Sequence, residues 1–201
     1  MSTTFFLIRH GEVNNPQKIA YGRTAISLSK YGKLQLKHLA EKLKRLNIRP
    51  SVIISSDLRR TIQSTEEIIK IFPSVPVFYT KDLEEVDIGG LTGRFLKYQN
   101  SIGDIYNSEK CKNMHIERPE SIINRQLQIL INANKKYFGK TIFVIGHQQP
   151  FQFLMWKLLN PSKKKIASII GIQKEFQLEN GAAWEVVLDD NLKVVKYSLI
   201  C

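Results

Sequence analysis

Short, wholly apolar runs alternate with longer amphipathic stretches along most of this chain. Phe5, Phe6, Leu7 and Ile8 form a continuous apolar run that stops at Arg9, His10 and Gly11, the pattern of a buried parallel strand ending in a polar turn. From Ser29 the pattern changes: Leu36, Leu39, Ala40 and Leu43 share one helical face, while Lys33, Lys37 and Lys44 fall outside it on a solvated side. Val52, Ile53 and Ile54 predict a second buried strand after Pro50. Ser55, Ser56 and Asp57 then supply capping side chains to a helix carrying Ile62, Ile69 and Phe72. Pro73 and Pro76 bracket the exit into a short strand over 77–79, followed by an acidic, glycine-containing loop over 82–93.

Periodicity is weak between Arg94 and Arg118. Pro119 and Glu120 then open a long helix with Ile123, Leu127, Leu130 and Ile131 on its apolar face, closed by Gly139. Residues 141–145 repeat the apolar-strand pattern and end in Gly146 and His147; Pro150 introduces a helix expected over 151–159, before Pro161. The tail differs, since two runs over 183–188 and 192–199 flank Asp189, Asp190 and Asn191 and read as a hairpin. Strands alternating with helices, closed by a hairpin, predict an α/β fold: a three-layer α/β/α sandwich around a mostly parallel sheet. No internal repeat or low-complexity linker interrupts it.

Composition narrows the class. A length of 201 residues fits one domain over 1–201, and 43% hydrophobic with 24% charged residues is the balance of a chain that buries a core, which excludes disorder and collagen-like repeats. No apolar run approaches the ~18 residues of a membrane span, and Phe5 to Ile8 is too short for a signal-peptide core. A cytoplasmic location without membrane attachment is expected. Cys111 and Cys201 are too far apart to imply a disulfide framework and lack zinc-site spacing, so no metal or other cofactor is expected. The unusual bulk property is a formal charge of +12, from 30 Lys and Arg against 18 Asp and Glu. It suits a nucleic-acid footprint, a basic pocket for a small anion, or a lysine-rich solvated surface.

The ends of the strands favour the second of these. Two buried strands each end in a histidine beside a glycine, and in a parallel sheet ligands bind at the carboxyl ends of strands, where His10 and His147 can converge although 137 positions apart. The strand over 52–54 delivers Arg59 and Arg60 to the first turn of the following helix, whose free amides already favour anions. Two imidazoles with guanidiniums around one point suit a dianionic phosphate, which Arg binds bidentately. His38, His115, Trp156, Trp184 and the run Lys163 to Lys165 need no functional role. No aromatic-interleaved basic motif marks a nucleic-acid reader.

Four motifs also carry a family resemblance: Arg9-His10-Gly11-Glu12 after an apolar strand; Ser55-Ser56-x-Leu58-x-Arg60 before a helix with Gln63; Leu83-x-Glu85 followed by Gly89 and Gly93; and Gly146-His147 after an apolar strand. In order and spacing the chain resembles the histidine phosphatase superfamily, the phosphoglycerate mutase-like family. The resemblance implies a phosphoglycerate mutase-like fold and a metal-independent histidine acid-type phosphatase acting on a small phosphorylated metabolite. His10 would be the nucleophile that becomes phosphorylated and Glu85 the acid that protonates the departing alcohol. Arg9, Arg60 and His147 would bind the phosphoryl oxygens, with Asn15, Arg23 and the Gln148 backbone amide as further contacts. The segment over 94–118 is the natural substrate-selecting lid. Departures are also present: Gln148-Gln149-Pro150 replaces a frequent glycine pair, Asp57 stands where proline is usual, Glu120-Ser121 lacks a preceding glycine, and Leu91 and Thr92 occupy positions that are often Trp and Glu.

Two rivals follow. A cofactor-dependent phosphoglycerate mutase would carry a longer insertion after the acidic residue, whereas only 35 residues separate Glu85 from Ser121 here. An inactive module binding phospho-ligands or nucleic acid would have no need of both a nucleophile and a proton donor.

Overall fold

The computed structural model describes residues 1–164, 166 and 168–201. Among these, six strands form one sheet in the order β3-β2-β4-β1-β5-β6, with β1 over Thr3–Arg9, β2 over Val52–Ser56, β3 over Val77–Thr80, β4 over Thr141–Gly146, β5 over Ala183–Leu188 and β6 over Val194–Ile200. β3, β2, β4 and β1 are mutually parallel, and β5 runs antiparallel to both β1 and β6. Arg9 lies opposite Gly146, and Ser55 opposite Ile145. This register places the ends of β1, β4 and β2 side by side.

The apolar runs are unbroken because both faces of the sheet are covered. Alternate residues point to opposite sides, so Phe5, Leu7, Ile142 and Val144 enter one core while Phe6, Ile8, Phe143 and Ile145 enter the other. Helices α1 (Lys30–Arg45) and α2 (Arg59–Ile69) cover the second core with Leu36, Leu39, Leu43 and Ile68. The first is covered by α4 (Pro119–Lys136), α5 (Gln148–Leu159) and α6 (Ile169–Glu175). The result is the expected three-layer α/β/α sandwich with a mostly parallel sheet. Among the described residues no helix is long and apolar enough to cross a membrane.

Four elements differ from expectation, and in the first, α2, the N-cap is Leu58 with no side-chain cap, in place of the capping expected of Ser55, Ser56 and Asp57. Helix α5 begins at Gln148, not at residue 151, because His147 is extended (φ −130°, ψ 158°) and acts as the N-cap. Pro150 then sits in the first turn, where its missing N–H has no helical acceptor to lose. A seven-residue helix, α3 (Leu96–Ile102), lies in the aperiodic segment; none of its residues is buried, which accounts for the missing pattern. Helix α6 also escaped the pattern, since its seven residues bury only Ile169 and Ile172. Of the Lys163 to Lys165 run, Lys163 and Lys164 are exposed and Lys165 lies outside the described residues.

The turn after β1 is stitched to the start of α1. Ser29 caps that helix by accepting from the Gly32 amide at 2.9 Å, while its hydroxyl donates to the Glu12 carboxylate at 2.6 Å and its amide to the Glu12 carbonyl at 2.8 Å. The Gly11 and Gly32 backbones meet so closely that a β-carbon on Gly11 would overlap the Gly32 carbonyl, and one on Gly32 the Glu12 carbonyl. Gly11→Ala should therefore destabilise the fold by about 1–3 kcal/mol through overpacking. Thermal melting checks this, and an unchanged Tm would show that the turn is free to shift.

Candidate active site

His10 follows the last residue of β1 and is only 1% exposed. Its Nδ1 lies 2.7 Å from the Gly11 carbonyl, which can only accept, so Nδ1 carries the proton and Nε2 the lone pair of the neutral ring. Burial, then the charges of Arg60 and Arg9, hold its pKa well below the usual imidazole range, outweighing the opposite effect of the Gly11 carbonyl. The ring is thus neutral, with its lone pair on Nε2. Asn180 Nδ2 donates to the His10 carbonyl at 3.0 Å and Ser64 Oγ accepts from the Gly11 amide at 3.3 Å, fixing the turn on both sides.

His147 stands at the end of β4 with its ring centroid 5.2 Å from that of His10, edge to face. Arg60, wholly buried in the first turn of α2, donates from Nε to His147 Nδ1 at 3.3 Å, which leaves His147 Nε2 protonated and donating to Ser56 Oγ at 3.0 Å. Arg60 also donates to the Gly22 carbonyl at 2.7 Å and the Thr24 carbonyl at 3.2 Å, and its guanidinium lies 5.0 Å from the Tyr21 ring centroid. Three of its five N–H bonds are used in this way, leaving one on each terminal nitrogen for a ligand. Burial, then Arg60 and His10, keep His147 neutral as well.

Arg9 donates from one terminal nitrogen to the Leu178 carbonyl at 2.6 Å. Its Nε is buried and has no hydrogen-bond partner among the described residues. A buried guanidinium donor left unpaired is costly, and an Nε edge of this kind can serve as half of a bidentate fork for an anion.

Glu85 approaches from the loop between β3 and α4. Burial raises its pKa, against the opposing pull of Arg60, the Val86 amide (2.9 Å from Oε1), Arg9 and Arg125. A clamp holds this loop. Arg125 of α4 makes a two-pronged ion pair with Glu117 (2.8 and 3.0 Å) and donates to the Glu84 carbonyl at 2.6 Å and the Glu85 carbonyl at 3.3 Å. Arg23 adds an ion pair to Glu117 at 2.9 Å, one to Glu84 at 3.2 Å, and a bond to the Glu85 carbonyl at 3.0 Å. Burial pushes Glu117 up, but its bonds with Arg125, the Asp87 amide and Arg23 outweigh this and hold it ionised. Burial raises Glu84 too, against the pull of Arg23 and with the help of the neighbouring Asp57 charge.

The fold therefore gathers His10, Arg9, Arg60, His147 and Glu85 around one point. Arg23 is committed to the carboxylates and carbonyls of the Glu85 loop, so its contact is with the acid's support. Asn15 closes its own turn, donating to the Ile19 carbonyl at 2.8 Å and accepting from the Ile19 amide at 3.2 Å. Gln148 opens α5 immediately after His147, with its amide in the first turn, where helical acceptors are absent. Arg59, His38 and His115 are exposed. Residues that sequence reasoning missed are Ser56, which sets the His147 tautomer, Tyr21, which stacks on Arg60, and Arg125 with Glu117, which hold the acid's loop. A buried strand-end serine beside Arg60 was a signal for the first of these; Arg125 looks like any polar position on a helix.

A family model of the histidine phosphatase superfamily (branch 1) matches residues 5–189. Phosphoglycerate mutase-like protein 4 of Arabidopsis thaliana is 23% identical over 189 residues, covering 90% of this chain and 81% of that protein. Phosphoserine phosphatase 1 of Hydrogenobacter thermophilus is 26% identical over 203 residues, covering 97% and 92%. The solved phosphoserine phosphatase of Entamoeba histolytica, in complex with 3-phosphoglyceric acid, matches with a TM-score of 0.75 over 98% of this chain and 96% of that one, at 21% identity.

Proposed function

Because the chain belongs to branch 1 of the histidine phosphatase superfamily, we propose that it is a phosphomonoesterase acting on a small phosphorylated metabolite through a phosphohistidine at His10. The observation that carries this reading is the His10 hydrogen bond to the Gly11 carbonyl, which leaves the lone pair of a neutral ring on Nε2.

In this reading the dianionic phosphoryl group takes up the free edge of Arg9, the two spare N–H bonds of Arg60 and the Gln148 amide. Nε2 attacks phosphorus in line with the ester oxygen, and these donors neutralise charge spreading over the equatorial oxygens. His147 takes part through Arg60, whose Nε it holds on Nδ1 while its own Nε2 is tied to Ser56 Oγ. As the P–O bond breaks, Glu85 gives its proton to the leaving alkoxide. The resulting carboxylate takes a proton from water, the hydroxide equivalent attacks phosphohistidine, and phosphate leaves with Nε2 restored.

Residues 1–201 act here as one domain, with the segment over 94–118 walling the substrate side. A cytoplasmic setting accompanies the reading, in keeping with two free thiols, Cys111 and Cys201. Relatives named as phosphoserine phosphatases and as a bisphosphoglycerate-dependent mutase bracket the choice of acceptor, water or a second hydroxyl. Incubation with 3-phosphoglycerate and the bisphosphate decides between them. Phosphate release that outpaces isomerisation and persists in chelator is expected; isomerisation exceeding release would make the protein a mutase.

A further inference from the structure

A cavity of about 370 Å³ lies between α3, the first turn of α5, and α6, and four of the residues lining it are neutral amides: Gln99, Asn100, Gln149 and Gln173. Gln149 is two positions beyond His147, the N-cap of α5, so one wall of the cavity is the helical turn that follows that histidine. The lining runs from exposed Asn100 and Ile170 to buried Ile105 and Ile169. A ligand can therefore enter from solvent and meet an apolar floor.

The fold makes no use of these amides. Gln99, Gln149 and Gln173 are half-buried, and among the described residues none of the four side chains makes a hydrogen bond. Gln152, less than one turn further along α5, is by contrast tied to the Gln173 carbonyl at 3.0 Å. Each amide offers two N–H donors and a carbonyl acceptor, a match for hydroxyl groups, which also donate and accept. No Asp, Glu, Lys, Arg or His lines the cavity among the described residues, so a charged group entering it would lose water without gaining a counter-ion. A purely aliphatic group would leave the amides unpaired. What remains is a neutral ligand rich in hydroxyls, with C–H faces for the isoleucines.

We propose that this cavity binds a neutral polyhydroxylated group, a sugar or polyol, between Gln149 and Gln173 on α5 and α6 and Gln99 and Asn100 on α3. Two sources carry that chemistry: the alcohol portion of a phosphomonoester whose phosphate sits at His10, or a free polyol. The first rests on the phosphomonoesterase reading; the second stands without it.

Gln149→Met and Gln173→Met, singly and together, test this, since methionine keeps the side-chain length and removes the hydrogen bonds. The probes are free D-glucose, D-mannitol and myo-inositol in NMR titrations, and glucose 6-phosphate against n-propyl phosphate, which lacks the hydroxyls, in turnover. Wild-type protein should bind a free polyol or prefer glucose 6-phosphate. That binding or preference should fall about 3- to 10-fold in each single variant and by more than about tenfold in the double variant, the scale of neutral hydrogen bonds lost one at a time. A kcat/KM loss confined to glucose 6-phosphate assigns the site to the substrate; lost polyol binding with the ester preference unchanged assigns it to a free ligand. No polyol effect in the wild type, equal behaviour of the variants, or a loss shared equally with n-propyl phosphate overturns the proposal. So does a lowered Tm in both single variants, which would mean that the amides support the fold. Calorimetric binding of glucose 6-phosphate to His10→Ala, with and without the double substitution, keeps the test independent of turnover: a loss of about tenfold or more supports the cavity even where no phosphohistidine forms. Turnover unaffected by His10→Ala removes the phosphohistidine reading without touching that result.

Discussion

Replacing His10 with alanine is expected to lower phosphate release from every phosphomonoester by at least about 10⁴-fold, the scale of losing a nucleophile that acts as a unit with its surroundings. The substitution removes the one neutral, correctly oriented lone pair in the site. His147 cannot substitute, since its Nδ1 receives Arg60 Nε and its Nε2 faces Ser56. Stability should change little by comparison: the ring is already uncharged, its one hydrogen bond is to the neighbouring Gly11 carbonyl, and Asn180 and Ser64 hold the turn through backbone atoms. A near-native melting curve together with lost turnover is the expected pair of results. Retention of more than about a hundredth of the activity would mean that another atom attacks phosphorus.

Glu85→Gln comes second in size and is the more discriminating. Positioned proton transfer contributes about 10²–10⁴-fold, so alkyl esters, which leave as strongly basic alkoxides, should lose that factor. Aryl esters with stable phenolate leaving groups need the proton less and should lose far less in the first step. The wild-type pH profile carries the same information. Burial lifts Glu85 above the usual carboxylic range, so the acid form persists to higher pH, and kcat/KM on alkyl esters should fall as pH rises through that elevated value. Glutamine keeps the shape and removes the titration, so this alkaline limb should vanish in the variant. A variant that loses alkyl and aryl turnover equally, with the limb intact, would assign the proton to a different group.

Most of the catalytic constellation was legible because of where the polar residues fall. Arg9 and His10 follow directly on one apolar run, His147 comes one glycine after another, and Ser56 and Arg60 lie within six positions of the end of a third, Ile54, so a parallel register turns that local order into spatial neighbourhood. The strand assignments needed no tertiary knowledge, since a strand buried on both faces leaves an unbroken apolar signature. Short helices with little to bury leave none, hence the silence over α3 and α6. What stayed hidden depends on partners distant in sequence. Arg23 looks like a pocket cation until Glu117, 94 positions away, is brought against it, and Arg125 is one more helix arginine until its fork closes on that same carboxylate. The orphan donor, Arg9 Nε, becomes visible only when every neighbour is in place.

The opening charge of +12 divides accordingly. Arg9 and Arg60 lie at the strand ends with the two histidines, Arg23 and Arg125 hold the Glu85 loop through Glu117 and backbone carbonyls, and lysines such as Lys33 and Lys37 lie on solvated faces.

A covalent phosphoryl group on His10 is the defining intermediate of the proposed reaction. Rapid acid-free quenching of the protein during turnover of O-phosphoserine, followed by peptide mass spectrometry under alkaline conditions, reads it directly. A phosphate on the imidazole of His10, absent in His10→Ala and accumulating in Glu85→Gln when an aryl phosphate replaces O-phosphoserine, is the predicted result. Undiminished turnover with His10 unmodified, or a phosphate on any other residue, would contradict it.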